Sequence, residues 1–154
     1  MSNDPAGLAR FFADLVRCET RLYNALNDRL RARHRIVTSQ FEFLHFLREH
    51  PGSRVADLAA EFAVGIGAVS KSTDRLEQAG WVLRQPNPAD RRSSLLALTD
   101  EGARLADAAE ETFAEVLAEL VGGTLEGAAI ADAARTFAVL RSALEAGRIG
   151  APAG

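Results

Sequence analysis

Apolar residues at Leu8, Phe11, Phe12, Leu15, Leu22, Leu26 and Leu30 recur in steps of three, four or seven, which predicts one long helix reaching to about Arg33 with a single apolar face. A helix that long in a small protein needs something to lie against. The next apolar run, Phe41, Phe43, Leu44, Phe46 and Leu47, is apolar nearly all round and reads as a central helix. It starts near Thr38 or Ser39, with Ser39 and Glu42 at capping-box spacing, and stops at Pro51-Gly52.

Ser53 is placed to cap a short third helix carrying Val55, Leu58, Ala59 and Phe62. Val64-Gly65 then reads as a tight turn into a fourth helix from about Ile66 to Gln78, and this order has helix-turn-helix spacing. Gly80 ends the fourth helix, and Trp81 to Arg84 reads as extended. The polar run QPNPADRRSS makes a long exposed tip, and Leu95 to Leu98 returns as a second strand. Thr99 caps a further helix, with Asp100 and Glu101 near the positive end of its dipole. That helix runs through Leu105, Ala109, Phe113, Val116, Leu117 and Leu120 to a break at Gly122-Gly123. A last helix presents Ile130, Phe137, Leu140 and Leu144 before a tail, GRIGAPAG, that reads as frayed.

The 154 residues, 47% hydrophobic and 25% charged, suit one globular domain. Their net charge of −3 hides an asymmetry: residues 1–99 carry 14 basic and 11 acidic side chains, and residues 100–154 carry 4 and 10. A basic working face can therefore coexist with an acidic end. No membrane span or secretory leader is visible, which predicts a cytoplasmic protein. The single Cys18 excludes an intramolecular disulfide framework and all-thiolate metal sites. His34, His45 and His50 lack ligand spacing, so neither a metal nor a cofactor is expected. No nucleophile-base pair or Gly-rich phosphate cradle suggests an enzyme.

The chemistry lies in the fourth helix and the hairpin tip. Val69 and Leu76, seven apart, should face the core and leave Gly67, Ala68, Ser70, Lys71 and Arg75 outside. Small and hydroxylated residues there let a helix seat in a major groove and donate to phosphates and base edges, although a merely solvated surface helix would carry the same residues. Asp90, Arg91 and Arg92 sit at the tip directly after it, where an arginine suits a narrow, electronegative minor groove; a turn-forming aspartate with solvated arginines is the plainer account. Arg17, Arg21, His45 and Arg48 could line a pocket for an acidic ligand, with solvated helix faces as the alternative, and the residues of any ligand site stay unknown at this level.

The stretch LAAEFAVGIGAVSKSTDRLEQAGWVLRQPNPADRRSSLLALTDEGARL, above all RLEQAGWV, PADRR and LTDEG, resembles the winged helix-turn-helix core of the multiple-antibiotic-resistance regulator (MarR) family. The resemblance covers roughly residues 38–105, and beyond them rests on element order. It implies a mainly α fold: a winged helix-turn-helix with a two-stranded β wing, and N- and C-terminal helices forming a dimerisation region. Residues 1–37 and 100–147 would form that region around a DNA-binding lobe at 38–99, with a flexible tail at 148–154.

The resemblance further implies recognition-helix contacts from Gly67, Ala68, Ser70, Lys71 and Arg75. Arg92 would enter the minor groove, Asp90 would orient it, and Arg91 would meet a phosphate or stay solvated. Phe11, Leu15, Phe137, Leu140 and Leu144 would join two subunits. The expected function is a homodimeric, sequence-specific transcriptional regulator, a repressor, on a pseudo-palindromic operator in double-stranded DNA. A small aromatic or phenolic acid would release it. A helical dimer serving protein interaction without specific DNA binding is the competing reading. One branch of the family senses hydroperoxide through a first-helix cysteine paired with tyrosines. Here Cys18 has only Tyr23, about 140° away around the helix, and no sensor role is expected for it.

Overall fold

The computed structural model describes residues 4–152. The elements are α1 (Pro5–His34), α2 (Thr38–Glu49), α3 (Val55–Phe62), α4 (Ile66–Gln78), β1 (Val82–Pro86), β2 (Ser94–Leu98), α5 (Asp100–Leu117), a π-helical turn (Ala118–Gly122) and α6 (Gly127–Ala146). The mainly α winged helix-turn-helix expected from the sequence is the fold observed. Ala153 and Gly154, the end of the expected tail, and Met1 to Asn3 of the expected N-terminal segment lie outside the described residues.

Asp4 starts α1 by accepting the Gly7 N–H, with Pro5 at the first helical position, where its missing N–H costs nothing. The predicted capping box of Ser39 and Glu42 does not form. Instead Val37 N–H donates to Gln40 Oε1 at 3.0 Å, and Thr38 N–H donates to Asn27 Oδ1 at 2.8 Å. Glu42 is thereby free to accept the Tyr23 hydroxyl at 3.1 Å. Ser53 does not cap α3 either. Its hydroxyl donates back to the His50 carbonyl, and Asp57 accepts the Arg54 N–H at 2.8 Å. In the turn between α3 and α4 the left-handed residue is Ala63, at φ 50°, and not Gly65, at φ −62°.

The hairpin pairs antiparallel from Val82 opposite Leu98 to Pro86 opposite Ser94. A single-residue bridge from Ser53 to Leu96 stitches the α2–α3 connection onto it. Both strands extend slightly further towards the tip than their apolar residues indicated. Gly80, at φ +83°, and Thr99, which accepts the Gly102 N–H at 2.9 Å, play the predicted terminal roles.

One core joins the helix-turn-helix to the hairpin: Phe43, Leu44, Leu47, Leu58, Val69, Leu76, Val82, Leu96 and Ala106. A second, Leu30, Ile36, Phe41 and Ala109, ties the end of α1 to α2 and α5. Trp81 and Leu105 pack against both, so the lobe and the long helices form one continuous interior. The apolar face of α1 divides in two. Leu26 and Leu30 are buried, whereas Leu8, Phe11 and Phe12 are exposed, and α6 contributes no buried residue.

Candidate nucleic-acid interface

Helix α4 is anchored on one side only. Val69, Thr73 and Leu76 are buried, and the Thr73 hydroxyl is satisfied by the Val69 carbonyl at 2.8 Å. This 3.6-residue periodicity turns Gly67, Ala68, Lys71 and Arg75 to solvent, with Ser70 at the margin. A Cβ on Gly67 would meet nothing within the protein, so internal packing does not require glycine there. Its bareness instead allows a second molecule to approach the helix backbone.

The tip of the hairpin is built from local hydrogen bonds. Asn87 Oδ1 accepts the Ala89 N–H, Asn87 Nδ2 donates to Ser93 Oγ, and Asp90 Oδ1 accepts the Arg92 N–H at 2.9 Å. Asp90 thus shapes the turn through the backbone of Arg92, where the resemblance implied that it would orient the side chain. Asp90, Arg91 and Arg92 are all exposed. The Arg54 guanidinium is raised above its ordinary value, first by its hydrogen bond to Asp57 and then by the charge of that carboxylate. Asp57 is correspondingly lowered.

One residue escaped sequence reasoning. Arg84 on β1 reaches over to α4, donating through Nη2 to Asp74 Oδ1 at 2.5 Å and to the Ser70 carbonyl at 3.4 Å. No local pattern signals this, because the partners lie on separate elements and the alternation of β1 says only that Arg84 shares a face with Val82.

The four residues weighed for an acidic ligand separate. Arg48 pairs with Asp107 and Glu110 of α5, with His45 Nδ1 at 3.2 Å, whereas Arg17 and Arg21 are exposed on α1. A groove of about 660 Å³ opens elsewhere, between the α3–α4 turn and the end of α6, lined by Phe62, Val64, Ile66 and Leu144 and by the charged residues Arg141, Arg148, Glu61 and Glu145. Among the described residues no three His, Cys, Asp or Glu gather as metal ligands, and no helix is long and apolar enough to cross a membrane. Cys18 is exposed, and Tyr23 is committed to Glu42. Of the residues expected at a dimer contact, Phe11 and Phe137 bring their rings to 6.5 Å while both stay exposed. Leu140 and Leu144 are exposed beside Phe137, and Leu15 is half-buried.

Residues 37–94 match the MarR family. The multiple antibiotic resistance protein MarR of Salmonella typhimurium is 35% identical over 72 residues, 47% of this chain and 50% of that protein. The transcriptional repressor NicR of Pseudomonas putida is 29% identical over 70% of this chain and 68% of its own length. The chain spans about half the length of several curated relatives it matches. Among solved structures, a mutant MarR from E. coli complexed with operator DNA superposes with a TM-score of 0.78 at 25% identity, covering 90% of this chain and 99% of that one. A MarR family transcriptional regulator from Streptomyces coelicolor in complex with DNA gives 0.82 at 21% identity, covering 93% of each. These relatives are regulators and not enzymes.

Proposed function

We propose that this chain is a member of the MarR family and a sequence-specific transcriptional regulator, a repressor that acts as a homodimer on a pseudo-palindromic operator. The observation that carries the reading is the exposed outward face of α4 together with an exposed arginine tip on the hairpin that Arg84 ties to that helix. In this reading α4 enters a major groove, where Ser70, Lys71 and Arg75 meet base edges and phosphates while Gly67 and Ala68 permit close approach. Arg92 enters the adjacent minor groove, Arg91 meets phosphate, and Asp90 holds the turn between them. The structures of relatives bound to DNA support the assignment.

The dimer rests on α6, a 20-residue helix with no fully buried residue in its own chain, and on the exposed Phe11, Phe137, Leu140 and Leu144 with the half-buried Leu15. Residues 1–37 and 100–147 form its contact region, and 38–99 form the DNA-binding lobe. A two-fold dimer places its recognition helices about 34–36 Å apart, one duplex turn. Release by a small aromatic or phenolic acid is supported by the volume of the groove between the α3–α4 turn and the end of α6 and by Arg141 and Arg148 in its lining, where Glu61 and Glu145 also stand. The protein works in the cytoplasm, where its DNA lies.

Binding to the DNA upstream of its own gene, followed by fluorescence anisotropy at two salt concentrations against a scrambled duplex, tests the reading. Specific binding is expected, with Arg92→Ala weakening it and Lys71→Ala lowering the salt slope by about one. Equal binding to both duplexes, unmoved by either variant, would favour a protein-interaction module instead.

A further inference from the structure

We infer that Arg84 is the positioning residue that sets the wing against the recognition helix, an inference that rests on the DNA-binding reading above. Arg84 stands on β1 opposite Leu96, near the foot of the hairpin. Its guanidinium crosses to α4 and holds both the Asp74 carboxylate and the Ser70 carbonyl. The anchor therefore lies within the same two turns of α4 that present Ser70, Lys71 and Arg75.

Two features separate this role from direct DNA contact. The Asp74 carboxylate already neutralises the guanidinium, and the Arg84 side chain is only 29% exposed, so it is poorly placed to claim a phosphate. The hydrogen bonds of residues 87–93 stay within the tip, which leaves the direction of the wing to be set at its foot. A protein that reads a major and a minor groove at once needs its helix and its wing at a fixed separation before binding. Otherwise the ordering is done at the expense of affinity.

The test uses Arg84→Met, which keeps the length of the side chain and removes its donors, with Asp74→Asn attacking the same bridge from the other side. Operator affinity should fall about tenfold, the scale of coupling within an ion-pair network, with the salt slope unchanged. Arg92→Ala should cost far less in the Arg84→Met background than in the native protein, because a wing that is no longer aimed has little left to lose. Without DNA, trypsin should cut after Arg91 and Arg92 faster in both bridge variants, at an unchanged thermal midpoint.

A salt slope lower by about one would make Arg84 a phosphate contact. Additive losses with Arg92→Ala, unchanged affinity, or unchanged cleavage in both variants would each overturn the inference. If the native protein does not distinguish operator from scrambled duplex, the DNA-binding reading fails, and the cleavage rates still decide whether Arg84 holds the wing.

Discussion

Gly102 lies so close to Trp81 that a Cβ on it would come within 2.0 Å of the Trp81 carbonyl oxygen. That oxygen accepts the Thr99 N–H at 3.0 Å, and the Thr99 hydroxyl donates to the Gly80 carbonyl at 2.6 Å. The first turn of α5 is therefore locked onto the end of the recognition helix and the start of the wing. The glycine of LTDEG is the residue that allows this close approach. Gly102→Ala forces backbone apart in a filled interior and should cost about 1–3 kcal/mol, read as a lower urea midpoint at constant m-value.

The Asp90–Arg92 turn predicts opposite behaviour for two similar changes. Asp90→Asn keeps a side-chain oxygen for the Arg92 N–H and should bind operator as well as the native protein, whereas Asp90→Ala should bind several-fold more weakly because the turn loses its cap. If charge alone governed this position, removing the carboxylate would tighten binding in both variants. Anisotropy titrations of the three proteins at one salt concentration separate the two accounts.

Phe137 is exposed, with its ring facing that of Phe11. At the centre of a dimer contact such an aromatic anchor is worth at least about 2 kcal/mol, close to thirtyfold in affinity. Phe137→Glu should therefore sediment as a monomer at micromolar concentration while keeping its helical circular dichroism, since no residue of α6 is buried within the chain. An unchanged dimer would move the contact to another face.

The Tyr23–Glu42 pair gives stability a pH dependence. Burial raises the Glu42 carboxyl above the ordinary carboxylate range, the Tyr23 hydrogen bond pulls it back, and Glu19 pushes it up again. The Tyr23 hydroxyl itself, first through burial and then through the Glu42 charge, is pushed up to about 12 and stays a donor. The folded chain thus holds the Glu42 proton more tightly than the unfolded chain does. That contribution is complete below the ordinary glutamate value and is lost as pH rises through the raised one. Glu42→Gln, neutral throughout and still an acceptor for Tyr23, should gain stability relative to the native protein as pH rises from mildly acidic to neutral. Thermal melts across that range measure the difference.

The elements and their order are legible along the chain, because helical and strand periodicity, caps and breakers act within a few residues of one another. Val69 and Leu76 marked the inner face of α4, Gly80 its end, and Thr99 the start of α5 without any knowledge of what they pack against. Local signals failed wherever a distant element supplied the partner. Ser39 and Glu42 have capping-box spacing, yet Asn27 and Tyr23, both on α1, take part in the hydrogen bonds that leave the cap to Gln40. The hand-over of the apolar face of α1 from buried Leu30 to exposed Phe11 was equally hidden, since one periodic stripe reads the same whether its own chain or another covers it. That Arg84 meets Asp74 and Ser70 emerges first in three dimensions, because side chains on separate elements find one another through packing that no spacing along the chain encodes.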